Sequence, residues 1–104
     1  MVEEKGMKFD SEKSRVDLIE PQVITLLGEV LGHGAKKYDD NNWKYVKGGM
    51  DRYYGALLRH VIAYRDGEVF DKDSGLHHLG HALANIQFLL YFDKEVTQWF
   101  NVKD

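Results

Sequence analysis

Apolar residues recur at helical spacing in three segments of the chain, and this pattern predicts an all-α protein. The first predicted helix covers 21–31 and opens at Pro21, the only proline, whose missing N–H suits the first turn of a helix. We expect Gly32 and Gly34 to end this helix, because glycine tolerates the left-handed conformation of a helix cap. The apolar face of the helix is formed by Val23, Leu26, Leu27, Val30 and Leu31.

Two further helices are predicted, over 51–66 and over 75–92. Ser74 is the expected N-cap of the later helix, because a serine hydroxyl can accept a hydrogen bond from the first turn. Residues 33–50 mix glycine and asparagine with charges and aromatics, which predicts an ordered loop between the first two helices. Beyond the third helix, the chain ends in a short element whose apolar residues are Val96, Trp99 and Phe100.

The third predicted helix is apolar on nearly every side, and this bears on assembly. A helix that is apolar all round is buried all round, and three helices cannot bury one of their own number completely. The sequence therefore predicts a homo-oligomeric helical bundle, either a dimer or a tetramer. The first stripe of the third helix is formed by Leu76, Leu79, Leu83, Ile86 and Leu90, and the second stripe by His78, His81, Asn85, Phe88 and Phe92.

Composition narrows the class of protein. A length of 104 residues, with 43% hydrophobic and 30% charged residues, predicts a single globular domain over 1–104. No segment approaches the roughly 20 apolar residues of a membrane span, so no membrane partner is expected. The absence of cysteine fits a reducing compartment, and we expect a cytoplasmic protein. The net charge of −3 argues against a long nucleic acid as the partner.

Positive charge is concentrated in residues 33–65, where seven basic residues outnumber three acidic ones. This excess of positive charge could attract a small anion. This segment places Lys37, Tyr38, Asn42 and Trp43 close together. Lysine pairs with phosphate oxygens, aromatic faces stack on bases, and amides hydrogen-bond base or sugar edges. These residues predict a small-molecule nucleotide ligand. The alternative is a surface loop in which the two aromatic residues are core anchors.

Arg59 and His60 are adjacent on the second predicted helix, among residues otherwise suited to packing. An arginine in such a position needs an anionic partner, because an unpaired buried charge is costly. That partner is either a phosphate group of the ligand or, in an interhelical salt bridge, Glu29 or Asp71.

His78 and His81 lie three residues apart and share one face of the third helix. Two imidazoles at this spacing can hold a divalent metal ion, or can hydrogen-bond a phosphate or a base. The acidic residues nearest to them, Glu68, Asp71 and Asp73, precede the helix and do not lie on it. Two-metal phosphohydrolysis needs several carboxylates converging from rigid elements, and the helices do not supply them. Neither a glycine-rich phosphate loop nor an H-E-x-x-H motif occurs.

Several short motifs follow one another between residues 8 and 90. They are Lys8-Phe9-Asp10, Lys13 with Arg15, Gly34-Ala35-x-Lys37-Tyr38-x-x-x-Asn42-Trp43, Arg59-His60, and Gly67-Glu68-x-x-Asp71-x-x-Ser74-Gly75-x-x-His78-x-x-His81-Ala82. Their order resembles the phage family named for the dATP/dGTP diphosphohydrolase N-terminal domain. The resemblance implies a compact helical protein, usually phage-encoded and acting in the host bacterial cytoplasm, that handles purine nucleotides. Members are described as cleaving dATP and dGTP to monophosphate and pyrophosphate, and are compared with MazG-type pyrophosphatases.

The acidic residues depart from the MazG pattern. MazG-type enzymes hold magnesium with an E-x-x-E pair on one helix and an E-x-x-D pair on another, whereas Glu29 has no acid three or four residues away. The chain is also similar in size and build to the anti-CBASS sponges, small oligomeric phage proteins that trap cyclic nucleotide signals.

The main expectation from the sequence is a sponge that sequesters a cyclic dinucleotide, such as 3'3'-cGAMP, and so blocks host anti-phage signalling. Sequestration needs no hydrolysis, no catalytic residue and no cofactor. The expected nucleotide-binding residues are those that pair with phosphate, stack on bases or donate hydrogen bonds: Lys13, Arg15, Lys37, Tyr38, Asn42, Trp43, Arg59, His60, Ser74, His78 and His81.

The alternative is a metal-dependent dATP/dGTP pyrophosphohydrolase that releases dNMP and pyrophosphate. Its Mg²⁺ or Mn²⁺ cofactor would be held by Asp71, His78 and His81, and the catalytic acids would be Glu29, Glu68 and Asp71. A purely structural helical module would explain the apolar third helix but would leave the loop residues without a role.

Overall fold

The computed structural model describes residues 13–94, and within that range the chain is all-helical. Three α-helices carry the fold: α1 (Pro21–Lys37), α2 (Gly49–Arg65) and α3 (His78–Phe92). Two short 3-10 helices precede α1 and α2, at Val16–Leu18 and Asn42–Tyr45. The predicted all-α class and the three main helices are confirmed. The expected C-terminal element with Val96, Trp99 and Phe100 lies outside the described residues.

The first helix is longer than its sequence pattern predicts. The prediction that Gly32 and Gly34 end it was wrong, since α1 continues to Lys37 and the Tyr38 N–H closes it on the Gly34 carbonyl at 3.0 Å. Glycine permits a left-handed cap but does not impose one, and inside a helix it costs only about 1 kcal/mol relative to alanine. The last turn instead carries Lys36 and Lys37, whose charges favour a helix C-terminus.

The third helix begins later than predicted, and Ser74 is not its N-cap. Gly75 has φ +75°, which is not helical, and α3 starts only at His78. The imidazole of His77 caps the helix, its Nδ1 accepting a hydrogen bond from the Leu79 N–H at 3.0 Å. The Ser74 hydroxyl accepts from the Leu76 N–H within the preceding connection. Residues 75–77, which the apolar pattern assigned to the third helix, therefore belong to the connection that precedes it.

Small residues let α3 pack against both α1 and α2. A Cβ at Gly80 would lie 2.7 Å from Leu26 Cγ of α1, and a Cβ at Gly49 would lie 2.7 Å from the Phe92 ring. Gly49 opens α2 and Phe92 closes α3, so these two helices run antiparallel. The consequence for the site is that the C-terminal part of α2 lies beside the start of α3.

Much of the apolar surface stays exposed. Among the described residues only Val30, Ala82 and Ala84 are buried hydrophobic side chains, and on α3 Ile86 and Leu90 are 43% and 47% exposed. Exposed apolar surface of this kind is typical of a protein that contacts a partner, and the predicted homo-oligomer stays a prediction. None of the helices described here combines the length and apolar character that crossing a bilayer requires.

Candidate functional site

A cleft of about 570 Å³ opens between the second half of α1 and the first half of α2. Small residues of the two helices face it, Gly34 and Ala35 from α1 and Gly55 and Ala56 from α2, and the missing side-chain volume leaves the gap. Its size is that of a small-molecule pocket. Four residues predicted from the sequence to bind a nucleotide line this cleft: Tyr38, Asn42, Trp43 and Arg59.

One end of the cleft is aromatic. The Trp43 ring stacks on Phe88 of α3, with ring centroids 4.5 Å apart and planes at 26°, and meets the edge of Tyr91 at 5.0 Å. The Tyr53 hydroxyl donates a hydrogen bond to the Trp43 carbonyl at 3.1 Å. Trp43 is therefore a packing anchor as well as part of the cleft wall, and its role in base stacking stays a prediction.

Two arginines supply the positive charge of the cleft, which is also lined by the carboxylate of Asp51. Arg52 and Arg59 both line it, and in the part of the chain that the structure describes neither forms a salt bridge. The sequence offered as an alternative a salt bridge from Arg59 to Glu29 or Asp71. That salt bridge is not formed among the described residues. Arg52 was missed by sequence reasoning. The signal was present, because Arg52, Gly55, Ala56 and Arg59 have the i, i+3, i+4, i+7 spacing of one helix face.

A second group of polar residues gathers where the end of α2 meets the start of α3. We call it the histidine cluster. It contains most of the remaining predicted site residues: His60, Glu68, Asp71, Ser74, His78 and His81. The antiparallel course of α2 and α3 brings His60 close to His78, and α3 also carries His81. The connection between the two helices supplies Glu68, Asp71 and Ser74.

Hydrogen bonds fix the ring orientations in one half of the histidine cluster. His78 Nε2 lies 2.6 Å from Glu68 Oε1, and His78 Nδ1 lies 2.9 Å from His60 Nδ1. An ionised carboxylate can only accept, so His78 donates from Nε2. Nδ1 of a neutral His78 then carries a lone pair and accepts from the Nδ1–H of His60.

The other half is built around His81. Its Nε2 lies 2.6 Å from the Ser74 hydroxyl and 3.7 Å from Asp71 Oδ2, and the same Asp71 oxygen accepts the Ser74 backbone N–H at 2.9 Å. The His81 ring stacks on His60 with centroids 4.5 Å apart and planes at 9°. The two halves therefore form one connected network.

Burial and neighbouring charge shift the pKa values in this network. Burial lowers the pKa of both His60 and His81, and nearby imidazoles lower them further while Asp71 acts in the opposite direction. The hydrogen bond from His78 holds the pKa of Glu68 below its ordinary value. Burial raises the pKa of Asp71, but hydrogen bonding by Ser74 together with the nearby His81 and His60 leaves it below its ordinary value. Near neutral pH the cluster thus combines the uncharged imidazoles of His60 and His81 with the ionised carboxylates of Glu68 and Asp71.

The remaining predicted site residues lie outside both groups. Arg15 forms a salt bridge with Asp17 at 2.9 Å in the exposed segment that also holds Lys13. Lys37 is exposed at the end of α1, its Nζ 5.7 Å from the centroid of the Tyr38 ring. Glu29 is exposed on α1 and lines a separate groove with Pro21, Gln22, Thr25 and Leu26.

The family model described as "dATP/dGTP diphosphohydrolase, N-terminal" matches residues 3–101. A protein of Salmonella phage PMBT28 named dATP/dGTP diphosphohydrolase is 34% identical over 86 residues, which are 83% of this chain and 29% of that protein. No solved structure matches the chain.

Proposed function

The chain belongs to the dATP/dGTP diphosphohydrolase N-terminal family, and from this premise we propose that it binds a purine deoxynucleoside triphosphate and converts it to dNMP and pyrophosphate. The chain spans 29% of the length of its phage relative, so the activity named for that longer protein enters here as part of the proposal. The expectation of a cyclic-dinucleotide sponge gains no support from either comparison, because both carry the name of a hydrolase.

The observation that carries the proposal is the juxtaposition of the cleft and the histidine cluster. Arg59 lines the cleft and its neighbour His60 belongs to the cluster, so α2 carries both within one turn. On α3, Phe88 lies under Trp43 and His81 lies in the cluster, which separates the two regions by about 10 Å at 1.5 Å per residue. A nucleoside triphosphate is long enough to bridge that distance.

The bound nucleotide would lie with its base at the aromatic end. Tyr38 and the part of Trp43 that lines the cleft would contact the purine, and the Asn42 amide would hydrogen-bond a base or sugar edge. Each base–aromatic contact contributes about 1–3 kcal/mol. Arg52 and Arg59 would pair with the phosphates, at about 1.5–3 kcal/mol for each charge-assisted hydrogen bond.

The phosphates would then point toward the histidine cluster. In the route we propose, water would attack the α-phosphorus, pyrophosphate would leave as the Pα–O bond to it breaks, and the water proton would need an acceptor. The imidazoles and carboxylates of the cluster are groups of that kind. A divalent cation such as Mg²⁺ or Mn²⁺ would neutralise phosphate charge in this reaction.

The test is turnover of dATP and dGTP by the purified chain with MgCl₂ or MnCl₂, analysed by ion-exchange chromatography. We expect dNMP and pyrophosphate in equal amounts. Arg59→Ala should lower kcat/KM at least tenfold. Arg65→Ala is the matched control, because it removes an exposed arginine of the same helix that does not line the cleft.

Two results would overturn the proposal. One is the absence of turnover together with tight binding of a cyclic dinucleotide that is recovered intact, which would restore the sponge. The other is equal loss of kcat/KM in Arg59→Ala and Arg65→Ala, which would remove the cleft from the nucleotide site.

A further inference from the structure

We propose that His60, Asp71 and His78 form a binding site for one divalent transition-metal ion, with Glu68 orienting His78 from outside the ligand set. The inference rests on the geometry of these four residues and does not depend on the proposed nucleotide chemistry. It differs from the sequence expectation, which placed Asp71, His78 and His81 around the metal.

The donor atoms are already close together. One ligand atom from each of His60, Asp71 and His78 lies within 4.8 Å of the other two. The two imidazole Nδ1 atoms are 2.9 Å apart. Two nitrogens bound to one ion at about 2.0–2.1 Å lie roughly 3 Å apart, so the imidazoles need little movement to share a cation. Binding also requires His60 to carry its proton on Nε2 instead of Nδ1.

The surroundings of His78 match those of a metal-bound histidine. Metal-ligating imidazoles almost always donate their second ring N–H to a carboxylate, a carbonyl or water, which fixes the tautomer and the ring. His78 donates its Nε2–H to Glu68 at 2.6 Å, and its side chain is only 4% exposed. This hydrogen bond leaves the lone pair on Nδ1, the atom that faces His60.

His81 is excluded from the ligand set by its own hydrogen bond. Its Nε2 is 2.6 Å from the Ser74 hydroxyl, and its ring stacks face to face on His60. In this position it supports the orientation of the His60 ring. The fourth histidine nearby, His77, uses Nδ1 to cap α3 and lies outside the cluster.

The donor chemistry selects the class of metal. Two imidazole nitrogens and one carboxylate suit Mn²⁺, Fe²⁺, Co²⁺, Ni²⁺ or Zn²⁺, whereas Mg²⁺ and Ca²⁺ prefer sites made of oxygen ligands. Three protein ligands also leave coordination positions for water or a phosphate oxygen. We therefore expect a site that takes a transition metal in the presence of excess Mg²⁺.

The test is metal binding by the full chain without nucleotide. Protein freed of metal by a chelator is titrated calorimetrically with ZnCl₂ and with MnCl₂ in buffer containing millimolar MgCl₂, and Co²⁺ is added separately to record its visible d–d absorption. We expect one Zn²⁺ per chain and Co²⁺ bands that report mixed nitrogen and oxygen ligands. Turnover of dNTP plays no part in this readout. A failure of the proposed metal site can therefore be distinguished from a failure of the proposed function.

Two conservative variants and one control make the test specific. His60→Asn retains a side-chain N–H near the position of Nδ1 and can still donate to His78, but it cannot supply the imidazole ligand. His77→Asn is the control, because asparagine is a good N-cap and His77 is not a ligand. We expect His60→Asn to weaken Zn²⁺ binding at least tenfold, Glu68→Gln to weaken it 10–100-fold, and His77→Asn to leave it unchanged.

Circular dichroism of each variant tests whether the helices are retained, and we expect spectra that match that of the unmodified chain. Equal Zn²⁺ affinity in His60→Asn and the unmodified chain would overturn the proposal. So would binding of Mg²⁺ with the same affinity as Zn²⁺, or the absence of stoichiometric binding of every transition metal. In the last case the histidine cluster is a hydrogen-bond network only.

Discussion

Gly32 and Gly34 offer a way to separate nucleotide binding from folding. Both glycines lie inside α1, and a Cβ added at either position would meet nothing within 4 Å. Only Gly34 lines the cleft. Leucine at position 34 would place its side chain in the space that we assign to the nucleotide, whereas leucine at position 32 would remain in solvent.

The expected magnitudes follow from these environments. Replacing a helical glycine with a good helix former stabilises a helix by up to about 1 kcal/mol, so Gly32→Leu and Gly34→Leu should each raise the free energy of unfolding by about that amount. For a domain of this size the corresponding rise in Tm is about 4–8 °C. Gly34→Leu should in addition weaken dGTP binding at least tenfold, or about 1.4 kcal/mol.

The assay pairs thermal unfolding with calorimetric titration of dGTP on both variants. The reasoning predicts two stabilised proteins, of which only Gly32→Leu binds nucleotide normally. Equal affinity in the two variants would show that the cleft does not hold the nucleotide. A lower Tm in both would contradict the account of α1 as a helix in which these glycines are free of contacts.

Three further predictions follow from the packing and from the titrating groups. Trp43→Ala should destabilise the chain by about 3 kcal/mol in chemical denaturation, because Trp43 packs on Phe88 and Tyr91, whereas Trp43→Phe should retain most of that stability. A free energy of unfolding that is the same in Trp43→Ala as in the unmodified chain would contradict the role of Trp43 as a packing anchor. Gly49→Ala should cost about 1–3 kcal/mol through overpacking against Phe92, and Gly49→Ala combined with Phe92→Leu should recover part of the loss. In EDTA, the free energy of unfolding should fall as the pH drops below about 6.5 toward the lowered pKa values of His60 and His81, because the unfolded chain binds more protons in that window. A free energy of unfolding that is flat over that window, or one that rises, would contradict the burial of these two rings.

Helical periodicity predicted which segments form helices, but it did not predict where they end. The apolar spacing of Val23 to Leu31 identified α1, yet it could not show that the helix continues through two glycines to Lys37. At α3 the same periodicity extended the helix too far, because Leu76 fits the apolar stripe while Gly75 turns with φ +75°. Helix ends depend on local backbone conformation and capping, which an apolar pattern does not record.

The sequence pointed to individual residues of the candidate site but did not show which of them lie together. The spacing of His78 and His81 placed both imidazoles on one face, but the hydrogen-bond partner of His78, His60, comes from another helix through the antiparallel packing of α2 and α3. Separation in sequence hid this contact. The cleft was equally hidden, since it depends on Gly34 and Gly55 leaving space between two helices. Sequence reasoning assigned weight to charged and aromatic residues and overlooked the small ones.

The most direct test of the central claim follows the oxygen of water through the reaction. The chain is incubated with dGTP and a divalent metal in ¹⁸O-labelled water, and the products are analysed by mass spectrometry. Attack at the α-phosphorus predicts one ¹⁸O atom in dGMP and none in pyrophosphate. Label in the pyrophosphate, release of inorganic phosphate with dGDP, or dGTP recovered unchanged would contradict it.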